Sequence, residues 1–84
     1  MTKLVYFSWV RERIGLTEED IVLPGSVRTA GDLLSFLAAK GEGYAEALQY
    51  PKVIRVAIDQ EHVDHDEVIS GAREIAIFPP MTGG

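Results

Sequence analysis

Apolar positions run almost unbroken through residues 3–10, where Leu4, Val5, Tyr6, Phe7, Trp9 and Val10 stand without an intervening Gly or Pro, and the run predicts a β-strand. Arg11-Glu12-Arg13-Ile14-Gly15 ends it with charge and a glycine. Asp20-Ile21-Val22-Leu23 predicts a second strand, stopped by Pro24-Gly25, and the two should form an antiparallel hairpin with a longish loop. Over residues 29–40 the period changes. Ala30, Leu33, Leu34, Leu37 and Ala38 recur at i, i+3, i+4, i+7 and i+8, one stripe of a helix. Thr29 and Asp32 resemble a capping box at its start, with Asp in place of the usual Glu or Gln, and Gly41 supplies a stop signal. Residues 44–48 add a turn or two of a second helix at most.

Alternation returns over residues 52–59, with Ile54, Val56 and Ile58 on one face of a third strand. The acidic segment 60–67 holds a short strand around His62-Val63, Ser70-Gly71 reads as a turn, and residues 74–78 form the last strand. Pro79-Pro80 cannot donate ladder hydrogen bonds and end the sheet. The order strand, strand, helix, strand, short strand, strand predicts an α+β domain: a mixed sheet of about five strands with one main helix packed on one face. A β-grasp arrangement is the obvious candidate, with residues 1–84 as one domain and 79–84 as a flexible tail.

The sheet faces raise a question. In the first strand Leu4, Tyr6, Ser8 and Val10 share one face and Val5, Phe7 and Trp9 the other; in the last, Ile75 and Ile77 oppose Ala76 and Phe78. Both strands are apolar on both faces, as in a sheet buried on two sides. One long helix covers only one face. Either loops and the Tyr44 segment cover the second, or Phe7, Trp9 and Phe78 form an open face for a partner protein.

Composition narrows the function. Eight Lys plus Arg against thirteen Asp plus Glu give a net charge of −5, which disfavours nucleic acid and anionic membrane surfaces. No cysteine is present, which removes the commonest sulfur nucleophile and any Cys-based zinc site. The N-terminus does not resemble a signal peptide and no apolar run approaches the ~20 residues of a membrane helix, so a soluble, cytoplasmic protein is expected. No serine sits in a Gly-x-Ser-x-Gly setting, and Gly41-Glu42-Gly43 reads as a plain loop. Glu61-His62-Val63-Asp64-His65-Asp66-Glu67 contains metal-ligand residue types but reads as a solvated acidic loop; no metal site is assigned.

The C-terminus is the unusual feature. After Glu74 no residue carries a charged side chain, Pro79-Pro80 favour an extended course, and Gly83-Gly84 have no side chains. Residues 79–84 can reach roughly 20 Å at ~3.3 Å per residue and present an unhindered carboxylate in a narrow channel.

Taken end to end, the sequence resembles the MoaD family, the small sulfur-carrier subunits of molybdopterin synthase, which are ubiquitin-like β-grasp proteins. Phe7-Ser8-Trp9-Val10-Arg11-Glu12-Arg13-Ile14-Gly15 matches the family's Phe-Ala-x-x-Arg-Glu-x-x-Gly pattern. Val56-Ala57-Ile58-Asp59-Gln60 resembles its Val-Asn-Gln strand end, and Phe78-Pro79-Pro80-Met81-Thr82-Gly83-Gly84 its Phe-Pro-Pro-Val-Thr-Gly-Gly terminus. Asp59 in place of Asn, and Ser70-Gly71-Ala72-Arg73-Glu74 in place of an Asp-Gly-Asp-Glu turn, depart from the pattern.

The resemblance implies that Gly84 is adenylated by an ATP-dependent, ubiquitin-activating-like adenylyltransferase (MoeB-like), becomes a thiocarboxylate (1-thioglycine), and donates sulfur to cyclic pyranopterin monophosphate. It implies tail insertion through Pro79, Pro80, Met81, Thr82 and Gly83 into a large catalytic (MoaE-like) subunit, in a heterotetramer, with no cofactor bound by this chain. Phe7, Phe78, Arg11 and His62 are the expected partner-binding residues, and the catalytic site belongs to the large subunit. Alternatives are a sulfur carrier for thiamine or tRNA thiolation, a ubiquitin-like protein modifier, and a pure interaction domain.

Overall fold

A computed structural model describes residues 1–80. Five strands and three α-helices follow one another along it: β1 (Thr2–Tyr6), α1 (Ser8–Ile14), β2 (Glu18–Ile21), α2 (Ala30–Ala38), α3 (Glu42–Ala47), a 3-10 turn at Pro51–Val53, β3 (Arg55–Ile58), β4 (Glu61–Val63) and β5 (Glu74–Phe78). The sheet order is β2-β1-β5-β3-β4. β1 and β5 pair in parallel at its centre, and the remaining neighbours are antiparallel. The mixed five-stranded sheet and the α+β class agree with the expectation from the sequence.

The start of the chain corrects the sequence reading. The first strand ends at Tyr6 rather than Val10, and residues 8–14 are helical. A short apolar run does not distinguish strand from buried helix. Here Val10 and Ile14, four residues apart, turn toward the core while Arg11, Glu12 and Arg13 face outward. Gly15 ends the helix in the left-handed region (φ 88°), its N–H donating to the Arg11 carbonyl at 2.8 Å. Trp9 therefore belongs to α1, half-buried beside the core, with the Arg13 guanidinium 4.6 Å from its ring centroid. It is not part of a sheet face.

Helix α2 follows its stripe: Ala30, Leu33, Leu34 and Leu37 are buried. Thr29 Oγ1 accepts from the Asp32 N–H at 3.1 Å and Asp32 Oδ2 accepts from the Thr29 N–H at 3.2 Å, so the capping box is present with Asp at its third position. Gly41 is not the stop of α2, which closes at Ala39; it precedes α3, and the segment read as a plain loop is helical from Glu42. Within α3, a Cβ on Gly43 would lie 2.6 Å from the Arg13 carbonyl oxygen. The glycine lets α3 pack backbone to backbone on α1.

Leu4, Tyr6, Val56, Ile75 and Ile77 point from the sheet into one core with Val10, Leu33, Leu34, Leu37, Ala47 and Leu48. All three helices thus contribute to the same side. α3 does not cover the second face, and Val5, Ala76 and Phe78 remain half-exposed there. At the far end of β3, Asp59 and Gln60 both have positive φ (48° and 73°) and make the two-residue turn into β4. Asp tolerates this conformation as Asn does. Its Oδ1 also accepts the N–H groups of Arg73 and Glu74 at 3.2 and 3.0 Å, tying the turn to the start of β5.

Candidate functional site: an open aromatic face beside the C-terminal tail

Side chains alternate across a strand, and register decides which of them meet. Phe78 is the last residue of β5 and points away from the core, opposite Arg55 in β3. One residue back, Ala76 lies between Val5 and Ala57, and Ala57 faces His62. These small residues make a low floor from which the larger side chains stand out. The Phe7 and Phe78 rings meet edge to face at 6.5 Å between centroids and 85°, and His62 meets Phe78 at 5.2 Å and 63°. Phe7 is 46% exposed. The structure therefore brings Phe7, Phe78 and His62 into one patch.

Phe7 reaches it because the chain turns sharply after β1. Ser8 takes a positive φ of 57°, uncommon for a residue other than glycine, and the Phe7 N–H still donates to the Ile77 carbonyl at 3.2 Å. Arg11 lies one helical turn on, its N–H bonded to the Phe7 carbonyl at 3.3 Å and its side chain exposed. Among the described residues the cation–π contacts are Arg13 with Trp9 and Lys40 with Tyr44, so Arg11 is joined to the patch through its backbone alone. Pro79 and Pro80 follow Phe78 directly and are half-buried. Met81, Thr82, Gly83 and Gly84 lie outside the described residues. Val5 and Ala76 lie on this face as the strand alternation predicts, whereas Arg55 and Ala57 were not singled out from the sequence. The signal for Arg55 and Ala57 was the alternation of the third strand, which sets them opposite to Ile54 and Val56.

The two histidines diverge. His62 faces the patch, whereas His65 Nε2 lies 2.7 Å from the Ile54 carbonyl oxygen. Among the described residues no group of three His, Cys, Asp or Glu could hold a metal ion, and no helix is long and apolar enough to cross a membrane.

The most polar cluster of the core side is a brace. Tyr6 and Tyr44 hydroxyls donate to Glu19 Oε2 at 2.6 and 2.7 Å, and Lys40 Nζ reaches Oε1 at 3.4 Å. One carboxylate thus joins β1, β2 and α3. Burial raises the Tyr6 phenol pKa well above the ordinary tyrosine value, with the Glu19 hydrogen bond adding to it. Tyr44 is pushed up to about 12, by burial first and then by Glu19. For Glu19, burial alone would raise the pKa, but the two phenol hydrogen bonds and Lys40 outweigh it and hold the carboxyl below its ordinary value. A depressed carboxylate pKa contributes stability that is fully present above the unfolded-state pKa (about 4.3) and is lost as pH falls through the folded value. Glu19→Gln should therefore be less stable than the wild type at about pH 7, with the gap narrowing below about pH 4. Urea denaturation at both pH values measures it; a gap of constant size would show that the charge contributes nothing.

A mixed sheet grasping helix α2, with a bare face beside the point where β5 becomes an uncharged tail, defines the class of ubiquitin-like β-grasp proteins. The family model described as ThiS family matches residues 4–84, and the chain belongs to that family. It is 37% identical to the molybdopterin synthase sulfur carrier subunit of Haemophilus influenzae and 32% identical to that of Escherichia coli, over 84 residues that cover each pair of chains completely. Among solved structures it resembles a putative molybdopterin converting factor, subunit 1, from Pyrococcus furiosus, with a TM-score of 0.73, 24% identity and coverage of 95% and 97% of the two chains. It also resembles SAMP1 from Haloferax volcanii, with a TM-score of 0.70, 25% identity and coverage of 99% and 98%.

Proposed function

We propose that this protein is a sulfur carrier subunit of molybdopterin synthase. Full-length identity to two curated carriers is the observation that supports the reading best, and the open Phe7–Phe78–His62 patch beside Pro79 and Pro80 fits it. A free carboxylate is ionised at neutral pH and is a poor electrophile. On this reading the Gly84 carboxylate first attacks ATP on an adenylyltransferase partner, releasing pyrophosphate and forming an acyl adenylate. A sulfur donor displaces AMP and leaves a Gly84 thiocarboxylate.

The tail, Pro79 through Gly84, then enters the large catalytic subunit of a heterotetramer, where the sulfur attacks cyclic pyranopterin monophosphate. Two such transfers build a dithiolene. The tail has no charged side chain, so groups that stabilise transferred anions come from the partners. The chain acts as an arm, with Gly84 the reacting residue and Phe7, Phe78, Arg11 and His62 the docking residues.

Intact-mass spectrometry tests this after incubation with ATP, the activating enzyme and a sulfur donor. The protein should gain the mass of one oxygen-to-sulfur exchange, localised to the C-terminal peptide. Exchange at another position, or higher-mass isopeptide-linked species with no exchange, would overturn the carrier reading; the second result is that of a protein modifier.

A further inference from the structure

Arg55 stands directly opposite Phe78 in the β3–β5 register and on the same outer face, because the neighbouring Val56 and Ile77 both turn into the core. It is exposed. β3 is an inner strand, and Arg55 opens it one residue before the stretch Val56–Ile58 that pairs with β4. Among the described residues the ion pairs are Lys3–Glu18 and Lys40–Glu19, and Arg55 takes part in neither. Asp64 and Glu67 line the same shallow polar depression as Arg55 and His62 but make no ion pair with it.

In water an unpaired guanidinium is well solvated. Beneath a docked protein it loses that solvation, and an unpaired buried charge is strongly unfavourable. A partner that covers Phe78 and His62 therefore has to answer Arg55 with an acceptor. The planar guanidinium fork is matched best by a carboxylate, which it can bind through two parallel hydrogen bonds. Such a carboxylate would run against the wider charge trend, because a chain of net charge −5 favours basic partner surfaces elsewhere. The pair would thus fix register and reject surfaces that lack the acid.

We propose that Arg55 is a specificity-determining residue of the docking face, paired in the complex with an Asp or Glu carboxylate of the large subunit set against the Phe78–His62 cluster. The proposal rests on the reading that this face docks the large subunit. Calorimetric titration of the purified large subunit with wild type, Arg55→Glu, Arg55→Met and Phe78→Ala, each at low and high salt, separates the two. Arg55→Glu should weaken the complex about 30-fold or more, and Arg55→Met about tenfold with a flatter salt dependence than wild type. If Phe78→Ala weakens binding while both Arg55 variants match wild type in affinity and salt dependence, the Arg55 pairing is overturned and the docking face stands. If Phe78→Ala and the Arg55 variants all bind as wild type does, the docking reading falls and the pairing with it. Circular dichroism of each variant confirms that an exposed substitution has left the fold in place.

Discussion

A protein lacking Gly84 should fold as the wild type does and support no measurable molybdopterin synthesis with its partners. The sheet is complete at Phe78, and among the described residues the core cluster ends at Ile77, so removing Gly84 is expected to leave stability unchanged. Reach does. Losing one residue shortens an extended tail by ~3.3 Å, and a misplacement of ~1 Å at a reacting centre can already cost about a hundredfold in rate. Gly83→Val should impair activation as well, because a β-branched side chain stiffens the backbone and widens the segment. The comparison is a thermal melt beside a reconstituted synthesis assay with excess activating enzyme. Full synthesis by the shortened chain would remove Gly84 from the chemistry.

Phe78→Ala is expected to weaken binding of the large subunit by on the order of 30-fold or more, the effect of deleting a buried aromatic anchor worth ~2–4 kcal/mol. Phe78 holds both other aromatic members of the patch, touching Phe7 on one side and His62 on the other, so its loss unseats all three. Phe7→Ala should act in the same direction. Phe78 is not among the residues of the core cluster, and the melting curve should move little. Calorimetry on the two purified subunits provides the measurement; unchanged affinity with an intact fold would show that the partner binds another face.

Much of this arrangement is legible in the sequence. The Leu33, Leu34 and Leu37 stripe locates α2, and Thr29 with Asp32 marks its start to the residue. The strand at Glu74–Phe78 and its exit into Pro79 follow from apolar alternation and proline chemistry. Phe7 and Phe78, set on one face by the strand alternation, meet each other, and His62 joins them.

Two things were hidden. Trp9 and Val10 extend an apolar run that fits a strand equally well, and only the Val10–Ile14 spacing with Gly15 behind it distinguishes a helix. Gly43 reads as a loop residue because glycine weakens helices, yet here close contact with the Arg13 backbone requires it. That contact is tertiary and has no local signature. Both bear on the same question of which face is open: with α1 unrecognised and α3 read only as a turn or two at residues 44–48, a second covered face remained an alternative.

The parallel pairing of β1 with β5 has a consequence for how the molecule is made. The centre of the sheet joins segments some 70 residues apart, as the Thr2 hydroxyl on the Ala72 carbonyl shows. A nascent chain emerging from the ribosome can form α2 early, but it cannot close its sheet until Glu74–Phe78 has been delivered. Phe78 then runs directly into Pro79, so the strand whose arrival completes the fold is also the one that holds out the tail. Truncated or mistranslated molecules that fail to seat β5 lose the Phe7–Phe78–His62 patch and the anchored start of the tail together. On the proposed function, an activating enzyme that must grip both before spending ATP would discriminate against defective copies without a separate proofreading step.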